Sequence, residues 1–158
     1  MSDTELDLWP DATELAKTSV EPPLTLLRQQ AALIGEKTKN LIIGEVITRR
    51  VPLQNPVYAL DIYPFKPKPP DEYSTKQIEH HFVLSSPALD DYCFTLFSAR
   101  HAMNLYPVLL FCTLDDNEAK VECKTEEELK EGLSVIFHNE STLKVIQGLL
   151  AQYTAQAF

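Results

Sequence analysis

The side chains able to do chemistry are few: four histidines, three cysteines, and an Asp90-Asp91-Tyr92 run in a chain of 158 residues. His80, Asp91, Tyr92, Arg100 and His101 are the polar residues that a pocket near a sheet could gather for acid–base work or ligand binding. Asp90, Asp91 and Tyr92 stand just before a strand, where an acid–base pair could sit. Pro87-Ala88-Leu89-Asp90-Asp91 reads more simply as a turn between strands. His80 and His81 are adjacent on a predicted strand, so their rings point to opposite faces and cannot chelate one ion together. His80 shares its face with Ile78, Phe82 and Leu84, which predicts a hydrogen-bonded interior histidine. His81 shares its face with Glu79, which predicts a solvated one.

Metal and nucleophile chemistry find little support. There is no H-x-H, H-x-x-x-H or C-x-x-C spacing, and no metal or cofactor is expected. Cys93 and His101 would share a strand face, but about 26 Å apart at the rise of a strand, too far to pair. No G-x-S-x-G occurs, and Gly35, Gly44, Gly132 and Gly148 are isolated, so no phosphate loop is present. No catalytic residue is assigned. Cys93, Cys112 and Cys123 fit neither a disulfide framework nor a zinc site and are expected as buried or half-buried free thiols of a reducing, cytoplasmic setting.

The elements that must position these residues follow from periodicity. Pro22 and Pro23 open a helix whose Leu27, Ala31, Ile34, Thr38 and Leu41 form one stripe, ending near Asn40. From Leu41 to Cys123 the period becomes extended. Strands are expected over Leu41–Val51, Val57–Tyr63, Gln77–Ser85, Tyr92–Met103, Val108–Leu114 and Ala119–Cys123. Val108–Leu114, apolar on both faces, should be internal. Thr125 with Glu128 makes a capping box. Leu129, Leu133, Ile136 and Phe137 then stripe one helix, and Leu143, Ile146, Leu149, Leu150 and Tyr153 a second, with Asn139 as its cap. The expected fold class is α+β. It comprises an antiparallel meander of five to six strands, with one N-terminal and two C-terminal helices packed mainly on one face.

Charge divides the chain. The net charge is −9, but residues 1–21 hold six acids against one lysine, and residues 115–131 hold eight against three, a net of −5 in each. The central body is nearly neutral and includes the stiff, basic Pro64–Pro70 run, expected as a rigid loop between strands. Residues 1–20 read as an acidic arm and 21–158 as one domain. The arm holds Trp9, the single tryptophan, which predicts either a strap packed on its own domain, the favoured reading, or a docking element for a partner.

An acidic field disfavours nucleic acid, and no apolar run reaches the ~20 residues needed to cross a bilayer. The leading expectation is therefore a non-enzymatic protein-binding module, such as an inhibitor or immunity-type protein facing a basic partner. Its contact residues would be Trp9, Asp115, Asp116, Glu118, Glu127 and Glu131. Two alternatives stand beside it: a small enzyme or ligand-binding domain built on the polar residues above, and a homodimer formed through an uncovered apolar sheet face.

Overall fold

The computed structural model describes residues 6–17, 20–52, 73–90, 92–112 and 118–156. The expected Val57–Tyr63 strand, the Pro64–Pro70 run, Asp91, Asp115 and Asp116 lie outside them. In the arm, a single helical turn, α1 (Ala12–Leu15), precedes the long helix α2 (Pro23–Lys37). Five strands follow among the described residues: β1 (Ile43–Pro52), β2 (Tyr73–Ser86), β3 (Tyr92–Ala102), β4 (Val108–Cys112) and β5 (Ala119–Cys123). Helices α3 (Glu126–His138) and α4 (Glu140–Gln156) close the chain. The strands form one antiparallel sheet in sequence order, β1-β2-β3-β4-β5, as the periodicity predicts.

Helix ends form where the residue chemistry allows. Pro23 fills the first turn of α2, where its missing N–H leaves no bond unmade. Beyond Lys37 the chain turns left-handed at Lys39 and Asn40, and the Asn40 N–H donates to Gly35 O at 2.8 Å. The Thr38 hydroxyl donates to Ile34 O at 2.8 Å and accepts from the Ile42 N–H at 3.1 Å, tying the helix end to the start of β1. Thr125 caps α3: its hydroxyl accepts from the Glu128 N–H at 3.2 Å, while the Glu128 carboxylate accepts from the Lys124 N–H at 2.6 Å. Asn139 begins α4 by accepting from the Ser141 N–H at 2.8 Å.

The core lies between the sheet and the helices. Leu26, Leu27 and Ala31 of α2 pack toward it, with Phe82, Leu84, Leu96, Phe97, Ala99, Val108 and Leu110 of the sheet and Leu129, Leu133 and Ile136 of α3. α2 can lie close on β1 because residue 44 is glycine. A Cβ there would sit 2.7 Å from Ala31 O and 2.8 Å from Ala31 Cα. β3 carries a bulge: Phe82 pairs with Phe97, but Val83 pairs with Thr95. The extra residue lets the consecutive Leu96 and Phe97 both be buried, where strict alternation would separate them.

Two expectations change. Leu143, expected in the buried stripe of α4, is 41% exposed. The sheet face away from the helices is mixed: Glu79, His81, Ser98 and Arg100 form a polar group at its centre, with Ile47, Leu109 and Phe111 opposite them in register. No described helix is long and apolar enough to cross a membrane.

Candidate functional site: two histidine clusters, an arm and a groove

The alternation of β2 sends His80 inward and His81 outward, as their adjacency predicts, and each ring anchors a separate polar cluster. On the core face three strands contribute. Thr48 of β1 stands opposite His80 of β2, and His101 of β3 is diagonal to it. Both rings are buried. Their Nε2 atoms are 2.7 Å apart, His80 Nδ1 is 2.8 Å from Thr48 Oγ1, and His101 Nδ1 is 2.6 Å from Ala102 O.

These contacts fix the protons. A carbonyl oxygen only accepts, so His101 carries its hydrogen on Nδ1. When both rings are uncharged, His101 Nε2 accepts the hydrogen of His80 Nε2. His80 Nδ1 is then an acceptor, and the Thr48 hydroxyl donates to it. Every donor points along one line from Thr48 to Ala102. Burial, and after it the positive charge offered by His101, Arg28 and His81, lowers the His80 pKa to about 4. The pair is too close to share a metal: two nitrogens each ~2.0–2.1 Å from one tetrahedral ion would be about 3.3 Å apart.

On the opposite face β2 and β3 pair Glu79 with Arg100 and His81 with Ser98. Glu79 Oε2 accepts from Arg100 Nη2 at 2.6 Å and Nε at 3.0 Å, and Glu79 Oε1 is 2.7 Å from His81 Nε2. His81 Nδ1 is 3.0 Å from Ser98 Oγ. His81 is thus half-buried and paired, where the sequence predicts solvation. The guanidinium of Arg100 also lies 5.0 Å from the centre of the Phe111 ring, with Lys120 at 5.8 Å. The order Ser98–His81–Glu79 polarises a hydroxyl in the manner of a nucleophilic triad. It lies on paired strands, however, whose backbone N–H groups are committed to the ladder, so the described strands supply no backbone oxyanion hole beside Ser98.

The four described pocket candidates do not meet in one place, and Asp91 lies outside the described residues. His80 and His101 meet in the core, Arg100 faces away on the other side, and Tyr92 is exposed at the start of β3. Tyr92 lines a shallow hollow with Phe94, Lys144 and Gln152, remote in register from either histidine cluster. Ser98 and Glu79 were not singled out by sequence reasoning.

The partner candidates are better exposed. Glu118, Glu127 and Glu131 face solvent along β5 and α3. In the arm, Leu6, Leu8 and Trp9 are 80%, 83% and 78% exposed, so the expected strap does not form. Asp7 bends the segment locally by accepting from the Trp9 N–H at 3.0 Å. Of the thiols, Cys112 and Cys123 are buried as expected, and Cys93 is exposed. Burial, and then Glu128, push the Cys123 thiol up from its ordinary value.

Sequence reasoning gave no hint of a groove between α2 and the C-terminal helices. Its larger part, about 430 Å³, has Phe82, Leu84 and Leu96 as its floor and Leu33, Ile34 and Ile146 among its walls. A smaller part, about 240 Å³, continues it past Gln30 and Phe137 toward Leu26 and Lys130. Comparison with protein-family models, curated proteins and solved structures found no match.

Proposed function

We propose that the protein is a non-catalytic binding module whose contact element is the N-terminal arm. One observation carries this reading: Leu6, Leu8 and Trp9 are all exposed, among the carboxylates of Asp7, Asp11 and Glu14. Leaving three large apolar side chains in water is unfavourable by roughly 1.5–3 kcal/mol for each that could be buried, so a surface that covers them gains that free energy. Tryptophan is enriched among the residues that dominate binding interfaces. The surrounding acids favour a partner with a basic rim around an apolar recess and raise its rate of encounter. Glu118, Glu127 and Glu131 extend the negative field.

The test is affinity capture with the full chain as bait, beside a variant carrying Leu6→Ala, Leu8→Ala and Trp9→Ala. The expected result is a partner held by the natural chain at low salt, weakened at high salt and lost with the variant. Equal capture by both baits would defeat the reading.

A further inference from the structure

Resting on that reading, we infer that the arm's partner is a second copy of this chain, received in the groove between α2 and the C-terminal helices. The groove is complementary to the arm in both respects that matter. Its floor is apolar, made by Phe82, Leu84 and Leu96, and its rim leaves Leu33 and Leu143 each 41% exposed. Its lining is free of carboxylates. Lys37 lines the larger part and Lys130, ion-paired with Glu126 at 3.2 Å, the smaller, and no Asp or Glu lines either. In a chain of net charge −9, a recess without carboxylates is one where the arm's acids meet little repulsion. The arm supplies what such a recess lacks, three exposed apolar side chains with Asp7 and Asp11 between and beyond them.

The exit of the arm favours exchange over folding back. Glu21 is fixed to the body: its carbonyl accepts from Tyr106 Oη at 3.2 Å, and its N–H donates to Glu126 Oε2 at 3.5 Å. The arm thus leaves beside Glu126, Glu127 and Glu128 in the first turn of α3, where Lys130 offsets only part of the charge of the three carboxylates, and the remainder opposes its acids settling there. Between Trp9 and Glu21 the chain can span up to about 40 Å when extended, enough to cross to a neighbour. In the structure both halves of the contact are open at once, arm and groove. Two copies exchanging arms would close both, in a reciprocal two-fold arrangement. Each arm brings a tryptophan and two leucines, roughly 400–500 Å² of apolar surface. Two arms with their grooves reach the size range of specific interfaces.

The experiment is sedimentation of the full chain over a wide concentration range, with the emission of Trp9, the sole tryptophan, followed in parallel. The expected result is a reversible dimer whose Trp9 emission moves to the blue as it forms. Trp9→Ser removes the arm's anchor and Leu33→Glu blocks the groove. Each should weaken association roughly thirtyfold or more, while the far-ultraviolet circular dichroism stays that of the natural chain. Mixing the two variants should restore association, because one intact arm then meets one intact groove. A natural chain that stays monomeric with water-like Trp9 emission overturns the inference. A monomer whose Trp9 emission is blue-shifted at every concentration also overturns it, since the arm then lies on its own chain. In either case, if the arm variant still loses an unrelated captured protein, the binding-module reading stands. If it loses nothing, both fall.

Discussion

His80 and His101 share one hydrogen between Nε2 atoms 2.7 Å apart, and the Ala102 carbonyl decides which ring donates it. An added proton can enter at His80 Nδ1: Thr48 then changes from donor to acceptor, and the Nε2–H bond to His101 is kept. A further one, on His101 Nε2, would set two N–H groups against each other.

Stability should therefore rise with pH between about 4 and 6.5. The folded pKa of His80 is lowered to about 4, below the ordinary 6.5, so in that window the unfolded chain binds more protons than the folded one. Unfolding free energy increases with pH wherever that is so. The contribution is complete above pH 6.5 and is lost as pH falls toward 4. Urea midpoints measured across this range should show the rise, and a chain with His80→Gln should show a shallower one. Equal slopes would remove His80 as the cause.

Removing His101 should be more damaging than its size suggests. His101→Ala leaves the His80 Nε2–H buried without its acceptor, a penalty of about 1–3 kcal/mol before any loss of packing. Chemical denaturation of the purified variant reads this directly. A change within experimental error would mean that water enters and replaces the ring.

Gly44→Ala should destabilise by roughly 1–3 kcal/mol, because the new methyl group would press on the main chain of Ala31, which cannot move aside as a side chain can. Gly148→Ala is the control. Nothing lies within 4 Å of the added atom, and in a helix alanine should be neutral or stabilising. Thermal unfolding of the two variants should separate them clearly.

Thr125→Ala should lower stability by about 1 kcal/mol by leaving the Glu128 N–H without its acceptor. Serine at the same position should restore most of it. Denaturant midpoints of the three chains check both statements.

Local elements were legible because local chemistry makes them. The capping box at Thr125, the proline opening of α2, and the bounds of β5 all follow from residues a few positions apart. The inward His80 followed from alternation alone. The two clusters were not legible, and the bulge at Leu96 explains why. A hairpin folded about the Pro87–Leu89 turn without a bulge would set His81 opposite Phe97 and His80 opposite Ser98, with the inward and outward sets mismatched. The one extra residue in β3 slips the register, so that His81 meets Ser98, Glu79 meets Arg100, and His101 reaches His80. Nothing in the local sequence marks that slip except the adjacency of two large apolar residues, Leu96 and Phe97. The groove was illegible for a different reason. It arises from the spacing of three helices over one sheet, which no single periodicity reports.

The order of the sheet also bears on how the chain reaches this state. Among the described residues each strand pairs only with its neighbours in sequence, so four of the five described strands can zip together through short hairpins. The pairing of β1 with β2 differs, since residues 53–72 intervene before Pro52 meets Tyr73. Contact order is correspondingly low over β2 to β5 and higher at this one junction. Addition of β1, carrying α2 against Gly44, is then the step that completes the line from Thr48 to His101. An amide-exchange experiment during refolding would find β1 protected last.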